Sequence, residues 1–143
     1  DALQERRLDS QYVTMLFAVW HDDNRTLQVS NSGAVQPVFC RDGQALTINA
    51  EGFPLGMFPD VSYDEIGVVT QPGDLVVFVS DGILDAENAQ GEMYGSERLA
   101  TILNADANLA ASQIGDAILA DVTRFQDGQD RFDDETIIVL KVR

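Results

Sequence analysis

The apolar residues of this chain change their spacing just after Ser80, and that change limits the folds open to it. Before Ser80 they fall in short runs rich in β-branched and aromatic side chains: Tyr12–Trp20, Thr26–Ser30, Pro37–Arg41, Gln44–Ile48, Tyr63–Thr70 and Asp74–Ser80. Each run has strand length, and turn chemistry separates them. Tyr12–Trp20 reads as a buried strand, and His21-Asp22-Asp23-Asn24 as the turn after it. Asp42-Gly43 is a two-residue hairpin signal, Gly52–Pro59 a Gly/Pro-rich loop and Pro72-Gly73 a further turn. Beyond Ser80 the period becomes helical. Ser96 is placed to cap a short helix reaching about Leu103, and Ile114, Ile118, Val122 and Phe125 share one face of a longer one over Leu109–Phe125. Asp127–Asp130 reads as a polar loop, Glu135–Val142 as a last strand, and the polar stretch Asp1–Leu8 as the tail of a helix. Hairpin-linked strands, then helices, then one strand predict an α+β fold with an antiparallel sheet. No repeat, low-complexity tract or linker interrupts the chain, so residues 1–143 are expected to form a single domain.

Charge narrows the partners. Nine basic residues against 24 acidic ones give a formal charge of −15, which repels nucleic acid and anionic lipid alike. Most of these carboxylates are expected to be solvated surface, but a few could converge on a hard cation, which an acidic protein needs in order to approach a phosphate. No apolar stretch is long enough for membrane insertion, and no secretory signal opens the sequence. Cys40 is the only cysteine, which excludes an internal disulfide and a zinc–thiolate cluster. A cytoplasmic location is expected from these features.

Two segments carry candidate chemistry. In Pro72–Gly82 an apolar strand delivers Asp81 at its end, with Gly82 there to let the backbone turn. A carboxylate at the lip of a rigid strand suits Mg²⁺ or Mn²⁺, and suits equally well the capping of a turn. The second segment holds Asp127, Asp130, Asp133, Asp134 and Glu135. Such crowding requires either a cation or water around it. Neither segment decides the matter by itself.

Taken in order, several segments resemble one family. The run Pro72-Gly73-Asp74, then Ser80-Asp81-Gly82-Ile83, Asp85-Ala86 and Asn88, resembles the metal-dependent serine/threonine protein phosphatases. It lies nearest their bacterial, stage II sporulation protein E-like branch within the protein phosphatase 2C-like superfamily. Gly91–Leu99 and Asp133-Asp134-Glu135-Thr136 continue the likeness. Upstream, Tyr12–Phe17 resembles the family's central strand, Asn31-Ser32-Gly33 its Asn-Ala-Gly turn, and Gly52-Phe53-Pro54-Leu55-Gly56 its Gly-Leu-Pro-Leu-Gly loop. The resemblance implies an antiparallel β-sandwich with flanking helices and two divalent cations, Mn²⁺ or Mg²⁺, at one end. They would activate a water for attack on a phosphoserine or phosphothreonine. It implies Asp81 and Asp133 as metal ligands, Gly82 and Asp134 in support with Asp134 orienting water, and a structural part for Thr136. No covalent phosphoenzyme is required.

This sequence departs from the pattern twice. Ala34 stands where the family turn ends in His, and His21, the lone histidine, is expected at the surface. More seriously, the Gly-Asp and Asp-x-x-Gly-x-Gly motifs of the family's first strands do not occur upstream of Tyr12. The chain is therefore expected to be incomplete at the N-terminus, corresponding to the C-terminal two-thirds of a phosphatase domain. Truncation, a second chain supplying the missing strands, and lost activity each account for that. Open strand edges make self-association or a dimer the expectation.

The leading functional expectation is a phosphatase acting on a regulatory phosphoprotein such as an anti-sigma factor antagonist, with a possible fused sensor or receiver domain. The alternative is a catalytically inactive interaction module in partner-switching signalling. An acidic calcium-binding domain is disfavoured, because the Asp-x-Asp-x-Asp-Gly spacing of a calcium loop is absent.

Overall fold

A computed structural model describes residues 12–58, 61–129 and 133–143. The expected helix tail Asp1–Leu8, Pro59 of the loop and Asp130 of the acidic segment lie outside the described residues. The chain forms two compact units: residues 1–36 with 49–70, and residues 37–48 with 71–143.

In the first unit, β1 (Met15–His21), β2 (Thr26–Ser32) and β5 (Ile66–Val69) make an antiparallel sheet in the order β1-β2-β5. The β1–β2 register runs from Met15 opposite Ser32 to His21 opposite Thr26. Leu27 and Val29 of the central strand are buried. Contrary to expectation, β1 is not a buried strand: Tyr12, Val13, Met15 and Phe17 are exposed, Phe17 to 59%. An apolar composition sets strand propensity but not the number of neighbours, and β1 lies at the edge of this sheet among the described residues. Nor is His21 a turn residue. It ends β1, half-buried, with its Nε2 2.7 Å from Gln28 Oε1.

Two of the family-like segments meet in this unit for structural reasons. Asn31 is buried and closes its turn on itself: the Ala34 N–H donates to Asn31 Oδ1 and Asn31 Nδ2 donates to the Ala34 carbonyl, both at 2.9 Å. Gly52 packs so tightly on the Asn31 carbonyl that a Cβ there would collide with it.

The second unit holds the larger core. β3 (Val38–Arg41), β4 (Gln44–Thr47), β6 (Leu75–Val79) and β7 (Ile137–Lys141) form an antiparallel sheet in the order β4-β3-β6-β7. Asp42 (φ 51°) and Gly43 (φ 72°) are both left-handed, as a type I′ hairpin requires. In the central strand β6, Leu75, Val76 and Val77 are fully buried. Three helices follow: α1 (Asp81–Leu84), α2 (Gly95–Asp106) and α3 (Ala111–Gln126). Leu99 and Leu103 of α2 and Ile114, Ile118 and Val122 of α3 complete the core, with Phe125 half-buried beside them. Ser96 does not cap α2. The helix starts at Gly95, behind Tyr94, and no side chain caps it. Among the described residues no helix is long and apolar enough to cross a membrane.

One polar cluster is built into this core. The buried carboxylate of Asp121 accepts from Tyr94 Oη at 3.0 Å, Arg98 Nε at 2.9 Å and Arg124 Nη2 at 2.8 Å. The Arg98 hydrogen bond leads in holding the Asp121 carboxyl below its ordinary range, while burial and Asp121 push the Tyr94 phenol well above its own. A carboxyl depressed in the folded state stabilises above its unfolded pKa and loses that contribution as pH falls through the folded value. Asp121→Asn is therefore expected to cost about 2 kcal/mol at pH 7, below the figure for a fully buried pair because both arginines reach solvent. Urea unfolding from pH 7 to pH 3 should show the gap from the parent closing at the acid end. A gap that stays constant with pH would reject the assignment.

Candidate functional site

The expected ligands stand at the ends of two neighbouring strands of the second unit. β6 and β7 pair from Leu75 opposite Lys141 to Val79 opposite Ile137. The pairing continues beyond that ladder through Ser80, whose N–H donates to the Thr136 carbonyl at 3.0 Å. The Ser80 hydroxyl then works in both directions. It donates to the Asp134 carbonyl and accepts from the Thr136 N–H, each at 2.9 Å. Ser80 thus fastens the segment carrying Asp81 to the one carrying Asp133 and Asp134.

Asp81 is the exposed first residue of α1, and its Oδ1 accepts the N–H of Gly82 at 3.0 Å. Asp133, also exposed, repeats the device: its Oδ1 accepts the N–H of Asp134 at 2.7 Å. Among the described residues neither carboxylate has another hydrogen-bond partner, so each keeps an oxygen toward solvent. Asp134 contributes its main chain to the clamp, while its side chain is exposed.

Gly82 is needed for a reason other than the expected sharp turn. Its φ is not among the positive values of this chain. The constraint is space: a Cβ at Gly82 would collide with the Asp134 carbonyl group and lie 3.4 Å from the Asp133 carbonyl carbon. Gly82→Ala is expected to cost about 1–3 kcal/mol by forcing these backbones apart. An unchanged urea midpoint would mean that the two segments do not press on each other.

The acidic segment is only partly gathered here. Asp127 is the left-handed residue (φ 46°) that ends α3, which makes it a cap. Among the described residues no three His, Cys, Asp or Glu side chains form a group able to hold a metal ion. Beside Asp133 lies a small cavity of about 30 Å³, lined by Gly82, Asp85, Ala86, Gln126, Asp133 and Glu135. Sequence reasoning missed Ser80, which could have been found as the residue before Asp81.

The family model for stage II sporulation protein E (SpoIIE) matches residues 1–143. Protein IcfG of Synechocystis is 28% identical over 133 residues, covering 92% of this chain and 21% of that protein. The phosphoserine phosphatase RsbU of Bacillus subtilis is 26% identical over 141 residues, covering 96% and 41%. The chain thus spans less than half the length of either relative. Among solved structures, the phosphatase domain of SpoIIE from Bacillus subtilis superposes with a TM-score of 0.75 at 17% identity, covering 98% of this chain and 61% of that one. The protein phosphatase 2C domain of SiaA from Pseudomonas aeruginosa gives 0.74 at 24% identity, covering 84% and 48%. Antiparallel sheets with a few helices, in this order, are the protein phosphatase 2C-like fold, and the chain belongs to the stage II sporulation protein E family.

Proposed function

We propose that this chain is part of a metal-dependent phosphoserine/phosphothreonine phosphatase domain in a bacterial signalling protein. In this reading Asp81 and Asp133 are carboxylate ligands of a Mn²⁺ or Mg²⁺ pair. The observation that carries it is the Ser80 clamp, which ties the segment leaving β6, with Asp81, to the segment leading into β7, with Asp133 and Asp134. The donor set suits a hard cation: both carboxylates are exposed, and each has an oxygen uncommitted among the described residues. Two carboxylates do not complete a metal pair, so further oxygen ligands would come from outside the described residues. When bound, the cations supply an activated water and offset the charge that develops during in-line displacement at phosphorus.

The chain's own residues position that chemistry. Ser80 fixes the spacing of the two segments, Gly82 allows their contact, and Asp134 lies beside the Asp133 ligand, where its exposed carboxylate can orient the attacking water. The substrate class is a regulatory phosphoprotein such as an anti-sigma factor antagonist, a reading supported by the likeness to the phosphoserine phosphatase RsbU.

The second reading, an inactive interaction module, draws on the same incomplete ligand set. One assay separates the two: manganese-dependent hydrolysis of an aryl phosphate by this chain and by a version extended through its native upstream sequence. Turnover by the extended protein alone supports the phosphatase with ligands supplied from elsewhere. Turnover by neither favours the interaction module.

A further inference from the structure

A groove of about 670 Å³ in the second unit is lined by residues of α2 and α3 and walled by the segment that joins α1 to α2. Its floor is preformed. Tyr94 and Phe125 meet edge to face with ring centroids 5.6 Å apart, and the Arg98 guanidinium lies 4.8 Å from the Phe125 ring. Asp121 holds both Tyr94 and Arg98, so these side chains pay little ordering entropy when something binds. The wall is fixed too. Met93 bridges to Glu87, the Tyr94 N–H donates to the Ala86 carbonyl at 2.8 Å, and Asn88 Oδ1 accepts the N–H groups of Gln90 and Glu92. Yet the side chain that this closed turn presents is Met93, 60% exposed. A polarisable apolar side chain held outward beside an ordered aromatic floor has the make-up of a contact surface.

The charges around the groove select its occupant. Arg98 is the one basic side chain of the lining among the described residues, and it is paired with Asp121. Glu92 and Glu97 are exposed on the same lining, and among the described residues neither forms an ion pair. A second copy of this chain, at −15, brings like charge to them, and nucleic acid does the same. A protein segment that sets Lys or Arg beside an apolar side chain matches both the rim and the floor.

We propose that this groove docks a basic, apolar-anchored segment of a partner protein. The anchor packs on Met93, Ile102 and Phe125, and the flanking Lys or Arg pairs with Glu92 and Glu97. This goes beyond the phosphatase reading and does not need Asp81 or Asp133 to bind metal. The two are nonetheless joined by one loop: the turn that presents Met93 begins at Asp85 and Ala86, which line the small cavity beside Asp133.

The test uses the extended protein and a fluorescein-labelled synthetic helix with leucines on one face and lysines beside them, its binding read by anisotropy. Met93→Ser is expected to weaken binding about 10-fold, as for loss of an apolar anchor. Glu92→Lys with Glu97→Lys should weaken it by at least about 10-fold, because each exposed attraction becomes a repulsion. Asp23→Lys with Asp64→Lys makes the same change of net charge at exposed positions outside the lining, and should alter affinity less than about 3-fold. Equal losses in the two charge pairs would mean attraction to the whole acidic surface, which overturns the proposal. Parental affinity in Met93→Ser overturns it as well, and so does equal binding of a helix with glutamates in place of the lysines. Self-association that Met93→Ser abolishes would give the groove to a second copy instead. The parent supplies a reading that needs no variant: the Met93 methyl resonance should shift as the helix is added, and an unmoved methyl overturns the proposal.

Discussion

Asp81→Asn and Asp133→Asn in the extended protein should each lower manganese-dependent turnover by at least about 100-fold, since losing an outer partner of a ligand alone costs 10–100-fold. Asparagine preserves the shape and removes the charge, and affinity for a hard cation follows the count of ligand charges. Stability should hardly change. Both side chains are exposed, and among the described residues each accepts only the N–H of the following residue, a bond that an amide oxygen can also accept. The urea midpoints should correspond to shifts within about 0.5 kcal/mol of the parent. A further check is the manganese concentration for half-maximal rate, which should rise before saturating turnover is lost. Full activity in either variant would remove that residue from the ligand set. Loss of activity together with a large fall in stability would mean that the residue supports the fold instead.

The sequence made part of this arrangement legible, and the boundary is physical. Local signals held where the cause is local. Asp42-Gly43 adopts the two left-handed conformations a type I′ turn needs, and the Ile114, Ile118, Val122 face is buried as its spacing implies. β6 delivers Asp81 at its end because five consecutive apolar residues are buried or nearly so on a central strand. What failed depends on contacts distant in sequence. The exposure of Met15 and Phe17 follows from the position of β1 in its sheet, which composition does not encode. The steric constraint at Gly82 arises from the Asp134 carbonyl, more than 50 residues away, and not from the expected turn. Ser80 matters through that same crossing.

Asp74, in the Pro-Gly-Asp motif, has its partner 33 residues upstream, and it carries the largest stability effect expected here. Its carboxylate is only 2% exposed and takes a two-point grip from Arg41, with Nε at 3.0 Å from Oδ1 and Nη2 at 2.6 Å from Oδ2. Oδ2 also accepts the Gln71 N–H at 2.8 Å, and the main chain of Asp74 accepts the Val142 N–H at 2.9 Å. The head of β6 is thus tied to the end of β3 and to the C-terminal strand, as Ser80 ties its other end. Arg41→Met is expected to be the costliest change, about 3–5 kcal/mol, because it leaves a desolvated carboxylate without its counter-charge. Asp74→Asn should cost less, about 1.5–3 kcal/mol, since the amide can keep the Gln71 bond and Arg41 reaches water. The double variant should then cost less than the sum, because the charge stranded by one change is removed by the other. Urea unfolding of the four proteins closes this cycle. Additive losses would mean that Arg41 and Asp74 stabilise β6 separately, and the ion pair would then have no part in holding the strand that carries Asp81.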